Sequence, residues 1–210
     1  MAAPLVGPLD LEALRNGTFR AEPYPHLIAS GCLRAEWLAA LRRDFPRLTR
    51  PGYHPLESFT PTGAFAALLD QIGTGALEPV LSGVFGMNLV GLPRMVTVHF
   101  TASEREGRPH TDGERKVATL LIYMHPGWVS AEGRIRVLSG PALEPFLAEL
   151  GPEEGNAFAF LRSDRSWHGH TPVRGERRVV QVTWLRDAEA AMRKRRAGMF
   201  AWWLKGLFSH

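Results

Sequence analysis

Three side chains with metal-binding chemistry stand out in the sequence: His110, Asp112 and His168. His110 and Asp112 are separated by one residue, so at a strand end or in an extended loop both side chains project to the same side. His168 follows a strand-like run later in the chain, and adjacent strands of a sandwich can bring it to the same ion. Two imidazoles and one carboxylate on one face of an octahedron leave positions open for a chelating cosubstrate and dioxygen. The sequence therefore predicts an iron(II) site with oxygen chemistry.

A pair of arginines, Arg177 and Arg178, opens the strand-like run that follows His168. Arginine offers a permanently charged, bidentate fork for a carboxylate, which a dicarboxylic cosubstrate would need. Alternation along the strand places Arg177 on one face with Gln181, and Arg178 on the other face with Trp184. We favour Arg178 as the arginine that points inward. Trp184 shares its face and is a candidate neighbour of the substrate or of the metal ligands.

The elements that must position these residues change character near Pro93. Before it, apolar residues recur at helical spacing over 33–45, which predicts an amphipathic helix with Ser30 as its cap. Residues 64–85 predict one or two further helices interrupted by glycines. Residues 47–61 are rich in Pro, Gly, His and Thr, which predicts a long loop.

After this change, short β-branched and aromatic runs bounded by Gly, Pro, Asp or Ser predict strands, as in an all-β sandwich. A short helix is expected over 143–150, and a last helix is expected to begin behind Asp187. The predicted strands cover 95–101, 117–124, 135–138, 157–161 and 179–184.

The predicted order of elements is helices, then strands, then a last helix. This order is typical of a mainly β chain with flanking helices, in the α+β class. A double-stranded β-helix, or jelly roll, is the natural closed form of its core. The length of 210 residues and the hydrophobic content of 45% favour one domain. Within that domain we expect helical support over 1–92, the jelly-roll core over 93–186 and a C-terminal helix over 187–210.

At these residues the sequence resembles the prolyl-hydroxylase-like branch of the iron(II)- and 2-oxoglutarate-dependent oxygenases. The family pattern is His-x-Asp, a later histidine and a basic residue beyond it, and the likeness covers roughly 95–184. It is carried by the His-Thr-Asp motif at 110–112, the Ser-Trp-His-Gly loop at 166–169 and the turn at 172–178.

The resemblance implies iron(II), 2-oxoglutarate and O2 as cofactors, and hydroxylation of an unactivated C–H bond with release of succinate and CO2. It implies His110, Asp112 and His168 as the metal ligands, with Arg178 or Arg177 on the far carboxylate of the cosubstrate. Tyr123 lies at the end of a strand that resembles the family's second core strand. It is a second candidate for that carboxylate.

Alignment with the family pattern does not decide between the two arginines. Counting from Gly175 assigns the cosubstrate arginine to Arg177, whereas counting from Pro172 assigns it to Arg178. His170 competes with His168 for the third ligand position. We favour His168, since the resemblance and the preceding tryptophan agree. His170 is then expected to face the substrate or to support the ligands.

Two further histidines, His99 and His125, have no motif around them. They are expected to be an ordinary strand histidine and an ordinary loop histidine, without a role at the metal.

The same ligands could instead hold zinc in a hydrolase, with an open fourth position. A third alternative is a non-catalytic jelly-roll module that binds a sugar or a peptide. A hydrolase leaves the arginine pair unexplained and has no convincing general base in a motif beside the ligands, although Glu114 is close enough in sequence to be tried. Asp112 disfavours halogenation, because its carboxylate occupies the position that a halide would need. The expected substrate is a peptidyl residue, an amino acid, a glycan or a small metabolite.

The net charge of +4 and the pI near 9.7 reflect a small excess of basic residues, concentrated at 193–196. We expect a solvated surface and no nucleic-acid partner, since no basic groove with interleaved aromatics surrounds the metal motif. Trp202 and Trp203 are expected to pack on the core rather than on a membrane surface. A lone cysteine, Cys32, and the lack of an export-like or membrane-spanning segment favour a cytoplasmic location.

Overall fold

The computed structural model of the chain describes residues 7–48, 52–102, 106–173 and 175–189. The predicted C-terminal helix falls almost wholly outside these residues, together with the basic cluster at 193–196, Trp202 and Trp203. The packing of that helix therefore stays a prediction, and so do the single-domain organisation and the cytoplasmic location. Among the described helices, none combines the length and the apolar character needed to cross a membrane.

The helices predicted over 33–45 and 64–85 are confirmed, the second as two helices. The second helix of the chain begins behind Arg34, without a side-chain cap hydrogen bond, so the expected cap at Ser30 is wrong. In the described residues before 93, the helices are α1 (Leu11–Arg15), α2 (Ala35–Asp44), α3 (Gly63–Gly73) and α4 (Leu77–Phe85).

The strands form two antiparallel sheets. The larger sheet has the order β1-β2-β8-β5-β10-β4-β3, and the smaller one has the order β7-β6-β9. The strands are β1 (Thr18–Arg20), β2 (His26–Ala29), β3 (Tyr53–Pro55), β4 (Arg94–Ala102), β5 (Lys116–Tyr123), β6 (Ile135–Leu138), β7 (Phe146–Leu150), β8 (Ala157–Leu161), β9 (His168–Gly169) and β10 (Gly175–Leu185).

The large sheet is buried on both faces, which explains the continuous apolar runs of its central strands. One face packs on the helices: Val180, Val182 and Trp184 of β10 share a core with the buried side of α3, including Phe65 and Leu68. The other face packs on the small sheet through a second apolar cluster. That cluster contains Leu121, Tyr123, Ile135, Val137, Phe158, Phe160 and Val179.

Two sequence-based expectations fail where pairing with another strand decides the local structure. The segment expected to be a short helix over 143–150 contains β7, which pairs with β6 in a register that sets Arg136 opposite Glu149. The Nε atom of Arg136 donates to this glutamate at 2.7 Å. The segment expected to be a loop over 47–61 contains β3, which extends the edge of the large sheet by pairing with β4.

Candidate active site

The three predicted metal ligands lie together. His110 and Asp112 stand in the connection from β4 to β5, and His168 begins β9 of the small sheet. One ligand atom from each residue lies within 4.8 Å of the others. The backbones of His110 and His168 also exchange two hydrogen bonds of 3.0 Å, which fix the separation of the two histidines. The arrangement could hold a single ion.

Backbone carbonyls orient both imidazoles. The Nδ1 atom of His110 lies 2.9 Å from the carbonyl oxygen of Arg108, and Nδ1 of His168 lies 2.9 Å from that of Ser166. A carbonyl only accepts, so Nδ1 is the donor in each ring, and Nε2 is the nitrogen left available to a metal. Burial lowers the pKa of His168 to about 4, which keeps this ring neutral at physiological pH. Both histidines can therefore donate through Nε2 to a metal.

Asp112 is buried and held by two side chains. The hydroxyl of Thr119 donates to Oδ2 at 2.8 Å, and Lys116 forms an ion pair with Oδ1. Burial alone would raise the pKa of Asp112, but the charge of Lys116 and the hydrogen bonds outweigh it and hold the pKa below its usual range. The carboxylate is thus ionised, as metal ligation requires. Two neutral imidazoles and one carboxylate are the donor set that suits non-haem iron(II).

The ligands face a cavity of about 930 Å³ whose walls come from both sheets. Ligand pockets commonly measure about 300–1,000 Å³, so this one has room for a cosubstrate and part of a substrate. The N-terminal part of the chain contributes Tyr53 and Leu56 to the cavity wall. The apolar part of the lining includes Leu121, Ile135, Phe160 and Val179.

A buried guanidinium shares this cavity with the metal ligands. Arg177 is 5% exposed and lines the cavity wall. Its Nε atom donates to the carbonyl oxygen of Gly133 at 2.8 Å, and Nη2 donates to the hydroxyl of Tyr123 at 3.3 Å. Burial raises the pKa of Tyr123, so its hydroxyl keeps its proton at neutral pH. The pair is therefore positioned to donate hydrogen bonds to an anionic group.

The structure corrects the preference for Arg178 and the expectation for Trp184. Arg178 pairs with Glu176 at 2.8 Å and lies over the ring of Phe45, on the opposite face of β10. Trp184 is fully buried on that same face, where its Nε1 donates to Glu78 at 2.9 Å. Both expectations turned the face of β10 that carries Arg178 and Trp184 toward the site. That face packs on the helices instead.

Residues 96–186 match the family model described as the 2OG-Fe(II) oxygenase superfamily. This stretch, which contains the three ligands and both arginines, is similar to that superfamily. No curated protein sequence matches the chain. Similar solved structures support the assignment at the level of the fold.

Three of these structures are prolyl hydroxylases. A prolyl-4-hydroxylase from Pseudomonas putida has 19% identity and a TM-score of 0.52, and the match covers 87% of this chain and 97% of that one. One from Phytophthora capsici has 16% identity, a TM-score of 0.61 and coverages of 84% and 65%. A third, from Trichoplax adhaerens in complex with a hypoxia inducible factor peptide fragment, has 15% identity, a TM-score of 0.58 and coverages of 87% and 91%.

These findings set the fold, the enzyme class and the cofactors. The two sheets form the jelly-roll core of a 2OG-Fe(II) oxygenase, as predicted, and the protein is an oxygenase enzyme. The family implies iron(II), 2-oxoglutarate and O2 as cofactors. The zinc hydrolase and the non-catalytic binding module are therefore set aside.

His170 does not join the ligand group of this oxygenase. Its Nδ1 lies 2.9 Å from the carbonyl oxygen of Thr171, and its backbone N–H donates to the carbonyl oxygen of Gly107. Burial and the nearby charge of Arg177 lower the pKa of His170 to about 3, so the ring is neutral. It lines the cavity, and its expected role beside the substrate or the ligands stays a prediction.

The sequence-based prediction missed several cavity residues of the oxygenase. Lys116 and Thr119 hold Asp112, while Tyr53 and His99 line the cavity from the sheet edge. For His99, the missed signal was alternation along β4, where polar side chains at 97 and 99 occupy one face and valines at 96 and 98 the other. Tyr53 gave no such signal, because its strand has only three residues.

Proposed function

We propose that this oxygenase hydroxylates an unactivated C–H bond, with His110, Asp112 and His168 as the iron ligands. Arg177, rather than Arg178, binds the far carboxylate of 2-oxoglutarate. The observation that carries the proposal is the burial of Arg177 in the cavity that the three ligands face. Its hydrogen bonds go to a carbonyl and a hydroxyl, which are neutral, and a buried guanidinium held in this way suits a carboxylate of the ligand.

When bound, iron(II) and 2-oxoglutarate supply the oxidation of the C–H bond by O2, with succinate and CO2 as co-products. The residues of the chain orient these groups. Tyr123 would add a second hydrogen bond to the far carboxylate, since its hydroxyl lies beside the Arg177 guanidinium. Asp112 keeps its coordination position filled, which favours hydroxylation over halogenation.

The substrate class that fits best is a peptidyl residue or a small molecule. Besides the metal ligands, the lining of the cavity includes Leu56, Leu69 and Arg94, so part of the wall is available to a substrate. The Trichoplax adhaerens neighbour was solved in complex with a peptide fragment, and this supports the peptidyl alternative.

The proposal is tested by following succinate formation from 2-oxoglutarate with added iron(II), in air and under strict anaerobiosis. We expect the wild-type chain to form succinate in an oxygen-dependent manner, at a low background rate even when no substrate is added. Asp112→Ala should abolish succinate formation, because the proposed site then loses its carboxylate ligand. Arg178→Gln is the matched surface control and should keep the wild-type rate. Turnover that continues without oxygen, or that survives Asp112→Ala, would contradict the proposal.

A further inference from the structure

His99 on β4 has an acceptor opposite each of its ring nitrogens. Nδ1 lies 3.3 Å from the backbone carbonyl oxygen of Arg177, and Nε2 lies 2.6 Å from a carboxylate oxygen of Glu106. The His99 side chain is 4% exposed, so water does not replace either partner. A carbonyl and a carboxylate both only accept hydrogen bonds. The imidazolium form, with a proton on each nitrogen, is the form of His99 that donates to both.

The two hydrogen-bonding partners of the His99 ring belong to two different parts of the site: the strand that carries Arg177 and the connection that carries His110. The carbonyl of Arg177 lies where the pairing of β10 with β4 shifts register, between Glu176 and Val179, and such irregularities re-aim side chains. Glu106 precedes Gly107, whose carbonyl accepts from the backbone of His170, and this connection runs on to His110. His99 therefore joins the strand that carries the arginine to the segment that carries the first metal ligands.

Tyr53 covers the same imidazole from the neighbouring strand. It pairs directly with His99 across β3 and β4, and the two ring centres are 4.7 Å apart at an interplanar angle of 58°. Tyr53, which is 55% exposed, forms part of the cavity wall. This contact thus packs the His99 ring against the wall of the cavity.

We propose that His99, as an imidazolium, is a positioning residue of the oxygenase. Its Nδ1 fixes the backbone at Arg177, and its Nε2 fixes Glu106 and through it the approach to His110. The inference rests on the proposed roles of Arg177 and His110, and it requires no contact between His99 and the reacting groups.

Two substitutions separate the two bonds. The amide nitrogen of asparagine stands close to the position of Nδ1, and that of glutamine close to the position of Nε2. His99→Asn therefore keeps the bond to Arg177, and His99→Gln keeps the bond to Glu106. The control is His125→Gln, a histidine that packs against Trp128 outside the cavity.

The measurements are the dissociation constants for Mn(II) and, anaerobically in the Mn(II) form, for 2-oxoglutarate, together with the melting temperature. We expect His99→Gln to weaken 2-oxoglutarate about tenfold with a smaller effect on Mn(II), and His99→Asn to do the reverse. The control should leave both constants unchanged. The proposal would be overturned if each variant lost affinity for Mn(II) and 2-oxoglutarate equally and in proportion to its fall in melting temperature. It would also be overturned if both variants kept the wild-type dissociation constants.

A second measurement does not depend on 2-oxoglutarate. The ¹⁵N chemical shifts of the His99 ring in the wild-type chain should report two protonated nitrogens at neutral pH, and one unprotonated nitrogen would overturn the proposal. A chain that binds Mn(II) but no 2-oxoglutarate would contradict the proposed function, while the ring signals and the Mn(II) constants would still decide the role of His99.

Discussion

At the scale of single residues, the two arginines after the distal histidine have opposite environments. Arg177 is buried and bonded to neutral groups, whereas Arg178 pairs with Glu176 near the surface. A charged hydrogen bond in a buried site contributes about 1.5–3 kcal/mol, while an exposed ion pair contributes less than about 1 kcal/mol. Loss of Arg177 should therefore weaken the binding of the cosubstrate, whereas loss of Arg178 should not.

We predict that Arg177→Gln raises the KM for 2-oxoglutarate by about ten- to a hundredfold, because the glutamine amide offers no charge and no bidentate fork. The comparison is with Arg178→Gln, measured by succinate formation over a range of 2-oxoglutarate concentrations. Arg178→Gln should keep the wild-type KM. The reverse order of the two variants would contradict the structural placement and restore the preference drawn from the sequence.

The metal ligands could be predicted from the sequence, but the arginine could not. His110 and Asp112 are neighbours in the chain, and the side of the chain on which they project follows from backbone geometry alone. The choice between Arg177 and Arg178 depends on which face of β10 meets the small sheet. Both faces of this strand are buried, so hydrophobicity does not mark the inner one.

At the scale of elements, the face of β10 that packs on the helices links the large sheet to α4. Trp184 of β10 donates to the buried carboxylate of Glu78 on α4, and Arg94 of β4 pairs with the same oxygen at 2.6 Å. One carboxylate thus links a helix to two neighbouring strands. Breaking part of such a buried network leaves a polar group without its partner, which costs about 1–3 kcal/mol.

We predict that Trp184→Phe lowers the free energy of unfolding by about 1–3 kcal/mol, through the lost N–H donor and the smaller ring. The KM for 2-oxoglutarate should stay at the wild-type value, since Trp184 lies on the face of β10 that packs on the helices. Denaturant unfolding and succinate assays on the same preparation check both parts. An unchanged stability with a raised KM for 2-oxoglutarate would instead place Trp184 on the side of the site, where the sequence suggested a neighbour of the substrate or of the metal ligands.

Helices and long strands could be predicted from local periodicity, but β3 and β7 could not. β3 has only three residues, and β4 alone supplies its hydrogen-bonding partner. β7 contains Leu147, Ala148 and Glu149, which are good helix formers, yet its pairing with β6 prevails. Pairing with another strand overrides local preference in both cases.

At the scale of the whole molecule, the metal position joins the two sheets. His110 and Asp112 lead into β5 of the large sheet, whereas His168 belongs to the small sheet. The jelly-roll class could be predicted from the order of helices and strands. The strand order could not, because β2, β8, β5 and β10 become neighbours from distant parts of the chain, and no local pattern encodes which strands pair.

Because Asp112 is held by Thr119 on β5 of the large sheet and His168 belongs to the small sheet, a bound metal should stabilise the sandwich as a whole. A ligand that binds only the folded state at a hundred times its Kd adds about 2.7 kcal/mol. We therefore predict that Mn(II), at that excess, raises the melting temperature and that EDTA reverses the rise. Asp112→Asn is the matched variant, because it keeps the size of the side chain but removes the charge, and its melting temperature should respond far less to Mn(II). An equal rise in the variant would mean that the ion binds elsewhere, and no rise in the wild-type chain would mean that the three ligands do not clamp the two sheets.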